Sequence, residues 1–165
     1  MKREITEQDL VDARQIWGNA LIAISKAFEE AGIDAARVAA NHMLDAAYSF
    51  KQGQVLFKPT FACGKQTFRT TRDGALAYFL GHSAEYPEDA GFGIKGWRSV
   101  DSETAASFIQ GDVAMWMGWV MCTDKNGDLT KVDKSWGYKK DEKGTLRIVL
   151  HHSSLPYQTE WQHCI

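Results

Sequence analysis

The sequence predicts an α+β fold in which N-terminal helices pack on a strongly curved antiparallel sheet. Apolar residues recur at three-and-four spacing in the first third of the chain and alternate in the last part, where short turns separate the runs. A doubly wound parallel fold would instead alternate helix and strand along the chain. We therefore predict one domain over 1–165, with helices at 6–48 and a curved sheet with a short helix at 54–157, closing on an interior pocket.

Two amphipathic helices are expected first. Thr6 precedes acidic residues in a first turn, which is typical of a helix start, and Gly32 is a natural stop. Asp34 can cap a second helix that runs to about Tyr48. The residues of this second helix predicted to face inward are Val38, Ala39, Leu44 and Ala47.

The middle of the chain predicts short elements. A strand over Gln54–Phe57 should end or lie at a sheet edge, because Pro59 lacks the donor that a central ladder needs. A second short strand is expected at 68–71. Asp73 then caps a helix that continues through Phe79 and is closed by Gly81.

The last third predicts a four-stranded meander. Asn126-Gly127 supplies the positive φ angles of a tight hairpin turn, and Gly111 and Gly144 mark two further turns. The predicted strands are Arg98–Ile109, Val113–Thr123, Thr130–Lys139 and Leu146–Ser154.

Composition excludes several classes of protein. The 165 residues carry 19 basic and 21 acidic side chains without a basic footprint, so we expect no nucleic acid partner. No apolar run approaches a membrane span, and the charged start does not resemble a signal peptide. Cys63, Cys122 and Cys164 are odd in number and far apart, which favours neither a disulfide framework nor a cysteine zinc site and predicts a cytoplasmic protein.

The final predicted strand ends in four polar residues, His151-His152-Ser153-Ser154. Strict alternation places His151 and Ser153 on one face with Arg147 and Val149, and His152 and Ser154 on the other. Buried polar groups need partners, so the cluster either satisfies neighbouring strand ends and helix caps or forms a hydrogen-bonding floor for a small polar ligand. Both interpretations stay open from the residues alone.

A metal site is disfavoured by the spacing of the histidines. His151 and His152 point to opposite faces of a strand and cannot readily share one zinc ion, and no His-x-His or His-Glu-x-x-His pair occurs. No Gly-x-Ser-x-Gly elbow accompanies the serines. We therefore expect metal-free chemistry and no cofactor.

Several segments resemble a family of bacterial and algal proteins with the SnoaL-like, nuclear transport factor 2-like cone fold, which is related to the association domain of calcium/calmodulin-dependent kinase II. The family includes the iota-class carbonic anhydrases. The matching segments are Val55-Leu56-Phe57-Lys58-Pro59-Thr60, Phe68-Arg69-Thr70-Thr71, Gly74-Ala75-Leu76-Ala77-Tyr78-Phe79 and Leu150-His151-His152-Ser153-Ser154-Leu155-Pro156-Tyr157.

The resemblance implies reversible hydration of CO2 to bicarbonate in a metal-free pocket. Carried over by motif, the substrate-contacting hydroxyls are those of Thr60, Tyr78 and Ser153, placed to orient water and stabilise developing charge. His151 or His152 would move the proton to solvent. The resemblance also implies a homodimer through the open sheet face. Ser154 and Arg69 are added as candidate substrate contacts. The stretch 131–135 departs from the family pattern, because it is more charged than the aromatic-containing stretch expected there.

Many similar sequences are labelled phosphoribosyl-AMP cyclohydrolase. That chemistry depends on cysteine-bound zinc and an aspartate-rich magnesium site, whereas the cysteines here are scattered and no Asp-x-Asp-x-Asp run exists. The label therefore fits the residues badly.

Two other functions remain open at this point. One is a non-catalytic binding or oligomerisation module, for which Trp116, Trp119 and Trp136 would form an aromatic wall. The other is an enzyme acting on a larger substrate. A small chamber lined by hydroxyls would support the carbonic anhydrase, and a long apolar one would support the binder.

Overall fold

The computed structural model describes residues 4–158. Helix α1 spans Glu7–Ala47, and its start matches the prediction: the Thr6 side chain accepts from the Asp9 backbone N–H while the Asp9 carboxylate accepts from the Thr6 backbone N–H. This reciprocal capping satisfies two otherwise unpaired donors of the first turn. No helix in the described part of the chain is long and apolar enough to cross a membrane.

Helix α1 is divided into two arms by Gly32, whose φ of 81° lies in the left-handed region that favours glycine. The predicted break at Gly32 is therefore confirmed. Asp34 does not cap the second arm, because it already lies inside the helical range after the break. The predicted inward position of Val38 is wrong: its side chain is 73% exposed, and Ala36, Ala40 and Met43 face the core instead.

Two short elements follow α1. Strand β1 spans Leu56–Lys58, later than predicted, and lies at the sheet edge as the proline indicated. Helix α2 spans Arg72–Leu80 and is capped by the Thr71 side chain rather than by Asp73, which lies in its first turn. The predicted strand at 68–71 is absent from the structure, although the Arg69 backbone N–H donates to the Phe57 carbonyl at 2.8 Å.

The four long strands appear within one residue of their predicted limits. They are β2 (Trp97–Gln110), β3 (Val113–Asp124), β4 (Leu129–Lys140) and β5 (Leu146–Ser154). The sheet order is β1-β5-β4-β3-β2, with β1 parallel to β5 and the other pairs antiparallel. Two single-turn 3-10 helices, Gly64–Gln66 and Phe92–Ile94, lie in the connections.

Strand β5 contains a bulge at Val149, because Gly137 pairs with Leu150 while the next residue of β4, Tyr138, pairs with Ile148. The extra residue changes the phase of the strand. Ile148, His151 and Ser153 are consequently all buried. The predicted grouping of Arg147 and Val149 with His151 on one face is therefore wrong.

The core lies between α1, α2 and the concave face of the sheet. Its largest fully buried side chains are aromatic or long aliphatic: Trp17, Trp116, Trp136, Tyr138, Phe57, Phe79, Leu10, Leu21, Ile24, Met43, Leu44 and Leu80. One end of this core, where β1, β4 and β5 meet α2, also contains buried polar groups.

Candidate active site

The parallel pairing of β1 with β5 joins two of the predicted site residues. Phe57 aligns with His151, so the chain that follows β1 runs beside the end of β5. The Thr60 Oγ1 and Ser153 Oγ atoms consequently lie 2.6 Å apart, within hydrogen-bond distance. Ser153 is fully buried, and Thr60 is partly exposed.

Tyr78, on α2, lines the same small chamber as Thr60. Its hydroxyl accepts from the backbone N–H of Phe61 at 3.4 Å. Burial raises the pKa of Tyr78 well above its ordinary value, so the phenol keeps its proton at neutral pH. The structure thus brings Thr60, Tyr78 and Ser153 to one place, with Tyr78 available as a hydrogen-bond donor.

His151 lies behind these hydroxyls and is 1% exposed. Its ring stacks on Phe57 at a centroid distance of 4.6 Å and contacts Trp17 and Trp136 at 5.7 and 5.2 Å. Burial, together with the neighbouring Lys134, holds the pKa of His151 well below its ordinary value. The ring is therefore neutral at physiological pH.

Lys134 is the residue at this site that the sequence reasoning missed. It is 3% exposed, and its Nζ lies 3.0 Å from His151 Nε2 and donates to Ser153 Oγ at 3.1 Å. Burial lowers the pKa of Lys134 to about 8. The alternation of side chains along β4 could have predicted its burial, because Lys134 lies between Val132 and Trp136 on the inward face.

Two residues of α1 extend the polar group into the core. The Trp17 indole N–H donates to the Tyr48 hydroxyl at 2.9 Å, and that hydroxyl lies 2.9 Å from His151 Nδ1. A continuous chain of hydrogen bonds therefore runs from Trp17 to Thr60 through Tyr48, His151, Lys134 and Ser153. Tyr48 was predicted only as the end of the second helix.

Two other predicted site residues, both on β5, lie outside the chamber. His152 is exposed on the opposite face of β5, and the Ser154 hydroxyl donates to Asp133 at 2.5 Å. The structure therefore does not bring both imidazoles and both serine hydroxyls of β5 together.

Arg69 was predicted to contact a substrate anion, but its guanidinium hydrogen-bonds to other groups of the protein. Its guanidinium donates to both Asp89 carboxylate oxygens, at 2.6 and 2.8 Å, and to the Gly74 carbonyl at 3.1 Å. It also lies over the Tyr86 ring. With its side chain 2% exposed, Arg69 ties the loop around Asp89 to the start of α2.

The chamber is compact and has mainly aromatic walls, and its side chains leave no water-sized space between them. Its lining includes Trp17, Phe57, Phe79 and Phe92 beside the polar groups of Thr60, Tyr78, Lys134 and His151. The predicted tryptophan wall is wrong. Trp116 and Trp136 are in contact in the core, whereas Trp119 lies half-buried on the other face of β3.

No three His, Cys, Asp or Glu side chains within residues 4–158 are grouped as they would be to bind a metal ion. In the same range Cys63 is exposed and Cys122 is buried, and both are free thiols. Cys164 lies outside the described residues.

A sheet backed by helices, with a small chamber edged by hydroxyls, defines an α+β protein of the nuclear transport factor 2-like fold. A family model described as metal-independent carbonic anhydrase matches residues 8–155. A metal-independent carbonic anhydrase from Nostoc sp. (strain PCC 7120 / SAG 25.82 / UTEX 2576) is 49% identical over 158 residues, covering 96% of this chain and 77% of that protein. The chain belongs to the metal-independent carbonic anhydrase family.

Solved structures agree with this assignment. The iota-carbonic anhydrase from a cyanobacterium, solved in complex with bicarbonate, superposes with a TM-score of 0.94 at 49% identity, covering 96% of this chain and 97% of that one. A nuclear transport factor 2-like protein of Pseudomonas putida KT2440 superposes with a TM-score of 0.55 at 14% identity, covering 94% and 90%. The second likeness concerns the fold alone.

Proposed function

We propose that this metal-independent carbonic anhydrase hydrates CO2 in the chamber edged by Thr60, Tyr78 and Ser153. The observation that carries the proposal is the 2.6 Å contact between the Thr60 and Ser153 hydroxyls at the chamber that Tyr78 also lines. The bicarbonate bound by the similar cyanobacterial enzyme supports the same substrate pair for this chain.

The site can act by stabilising charge. When a water oxygen attacks the carbon of CO2, one C=O electron pair moves onto oxygen, and negative charge grows there. Fixed hydroxyl donors in a site closed to bulk water stabilise such charge more strongly than water does, because they need no reorganisation. Tyr78, kept protonated by burial, and the hydroxyls of Thr60 and Ser153 are donors of this kind.

The walls suit the substrate better than they suit a larger ligand. CO2 is small and has no net charge, which suits the compact chamber between Phe57, Phe79 and Phe92. A long apolar ligand would need far more space. The size of the chamber therefore favours catalysis over the alternative of an apolar-ligand binding module.

Neither histidine of β5 is suited to shuttling the proton out of the chamber. Imidazoles shuttle protons when they titrate near neutrality. His151 is held neutral by burial, and His152 lies on the outer face of the strand. Thr60 is partly exposed at the chamber edge, so we place the exit of the proton to solvent there.

The test is stopped-flow CO2 hydration by protein treated with EDTA. We expect turnover well above the buffer rate and no gain when zinc is returned. Absence of turnover above buffer in both preparations would contradict the proposal. A rate that appears only with zinc would show that the reaction needs a metal.

We also propose a homodimer that pairs through the outer face of the sheet. On β3 this face carries Met115 and Met117, which are 50% and 57% exposed, next to the half-buried Trp119 and Met121. A contiguous apolar surface of this kind is typical of an interface. A cytoplasmic location is the second part of this proposal, supported by three separated cysteines that do not form a disulfide pattern.

A further inference from the structure

We infer that Lys134 is an uncharged amine in the resting protein, because Tyr48 fixes the tautomer of His151 that requires it. Lys134 then donates a hydrogen bond to Ser153, within a series of hydrogen bonds that all point the same way, from Trp17 to Thr60. The inference concerns the resting site itself. Only its consequence for catalysis rests on the proposed function.

The direction of this series of hydrogen bonds follows from its first donor, Trp17. The indole N–H of Trp17 is a donor only, so the Tyr48 oxygen must accept it. The Tyr48 hydroxyl proton then has one acceptor in the described structure, His151 Nδ1 at 2.9 Å. If His151 instead donated from Nδ1, the buried Tyr48 O–H would have no partner, which is costly.

The tautomer of His151 fixes the state of Lys134. A neutral imidazole that accepts at Nδ1 carries its proton on Nε2. That N–H points at the Lys134 Nζ, 3.0 Å away, and needs a lone pair there. An ammonium has no lone pair, so only the neutral amine completes this bond.

No carboxylate forms an ion pair with Lys134 in the described residues, although the charge of Asp133 favours the ammonium. None of the ion pairs within residues 4–158 includes Lys134, and an unpaired buried ammonium is unfavourable. With burial as the largest cause, the pKa of Lys134 falls to about 8, and an Nε2–H facing the amine lowers it further. The titratable side chains around Lys134 are Tyr48 from α1, Lys58 from β1, Tyr78 from α2, Cys122 from β3, Asp133 from β4, and His151 and His152 from β5.

The remaining links point into the chamber. Lys134 donates to Ser153 Oγ, which lies 2.6 Å from Thr60 Oγ1. With Ser153 as the donor of that bond, the Thr60 O–H turns towards the chamber, where it faces the Tyr78 hydroxyl and a substrate oxygen. Hydrogen bonds aligned in one direction strengthen one another, so the chain improves the donor that meets the growing charge. An ion pair between Lys134 and bicarbonate would slow the release of bicarbonate, and a neutral Lys134 forms no such pair. Tyr48, His151 and Lys134 are thus positioning residues.

The first experiment needs no variant and no activity. Long-range 1H–15N spectra of protein labelled with 15N-histidine should show His151 protonated at Nε2 and bare at Nδ1 between pH 7 and 8, with the signal assigned by its loss in His151→Gln. A proton on Nδ1 in that range would overturn the inference, whatever the hydration assay shows.

The second experiment measures the pH dependence of CO2 hydration. Tyr48→Phe removes the donor to Nδ1, so the midpoint of the rise in rate with pH should move up by about one unit, while the rate at high pH stays within about threefold. Tyr138→Phe is the matched control: Tyr138 is also a buried tyrosine, but its hydroxyl has no hydrogen-bond partner within residues 4–158, and its loss should leave the profile unchanged.

The charge of Lys134 has its own test. Lys134→Arg keeps a cation and cannot be neutral, so it should lose about 10-fold or more in rate at every pH. Wild-type rate and profile in Lys134→Arg would show that the site needs a cation and would overturn the inference, while leaving the proposed function intact. An inactive wild-type protein would instead contradict the proposed function and leave the tautomer measurement to decide the inference.

Discussion

The hydroxyl oxygens of Thr60 and Ser153 lie 2.6 Å apart although 93 residues separate them in the chain. Their contact depends on the short parallel pairing of β1 with β5, which continues directly into the Pro59 corner. The hydrogen bond between them fixes the orientation of both hydroxyl groups.

The first prediction concerns the two serines at the end of β5. Ser153→Ala should lower kcat/KM for CO2 hydration by about 10- to 100-fold, because it removes a donor at the chamber. Ser154→Ala is the matched control, since its hydroxyl contacts Asp133 on the other face, and it should stay within about twofold of wild type. Equal losses in the two variants, measured by stopped flow, would contradict the assignment.

The two histidines of β5 should differ in the same way. His151→Phe keeps a ring in the aromatic pocket but leaves Tyr48 and Lys134 without their shared partner, so we expect about a 10-fold loss of rate and about 2 kcal/mol of stability. His152→Ala should change neither. A large loss of rate in His152→Ala would restore the outer histidine as a proton carrier.

Arg69 should prove structural rather than catalytic. Arg69→Met leaves the buried Asp89 carboxylate unpaired and should lower the free energy of unfolding by about 3–5 kcal/mol. The double variant Arg69→Met/Asp89→Leu should recover part of that loss. Urea titration measures the stability. A stable Arg69→Met protein with a raised KM would instead indicate substrate contact.

The stability of the protein should carry a signature of Lys134 at alkaline pH. Burial lowers the pKa of Lys134 in the folded protein to about 8 and the Nε2–H of His151 lowers it further, whereas the ordinary value is 10.5. Between the folded and the ordinary pKa the unfolded chain binds more protons, so stability rises with pH. Relative to Lys134→Met, the wild-type protein should therefore gain about 3 kcal/mol on going from pH 8 to 10.5. The groups common to both proteins cancel in this difference. Urea titrations across the range that give a constant difference would show that Lys134 titrates normally.

The outer face of the sheet should hold the dimer. Met117→Glu places a charge in the proposed interface and should convert a dimer to a monomer in sedimentation velocity runs. Val38→Glu is the control, because Val38 is 73% exposed on α1, away from that face. A wild-type monomer, or a dimer unaffected by Met117→Glu, would refute the proposed interface.

Much of the fold could be predicted from local patterns. Alternation of apolar residues located β2 to β5 within one residue, and Gly32 marked the break in α1, because only glycine adopts that φ cheaply. Caps were less predictable: Thr71 and Asp73 are both good capping residues two positions apart, and tertiary packing chooses between them.

The site was predictable only in part. Resemblance supplied Thr60 and Tyr78, which line one chamber, and Ser153, whose hydroxyl contacts that of Thr60. Lys134 was missed because a lysine in a charged stretch usually lies at the surface, and only its strand position contradicts this. The grouping of side chains on β5 failed because a bulge has no mark in an alternating pattern.

The bulge makes Val149 the one residue of β5 between Ile148 and Leu150 that is not aligned with a residue of β4. Without it, Ile148 and His151 would still point the same way, since simple alternation after the deletion restores the same inward set. Only the bend of β5 opposite Gly137 would change, where an added Cβ would come within 2.9 Å of Leu150. Deletion of Val149 should therefore leave His151 and Ser153 facing the core.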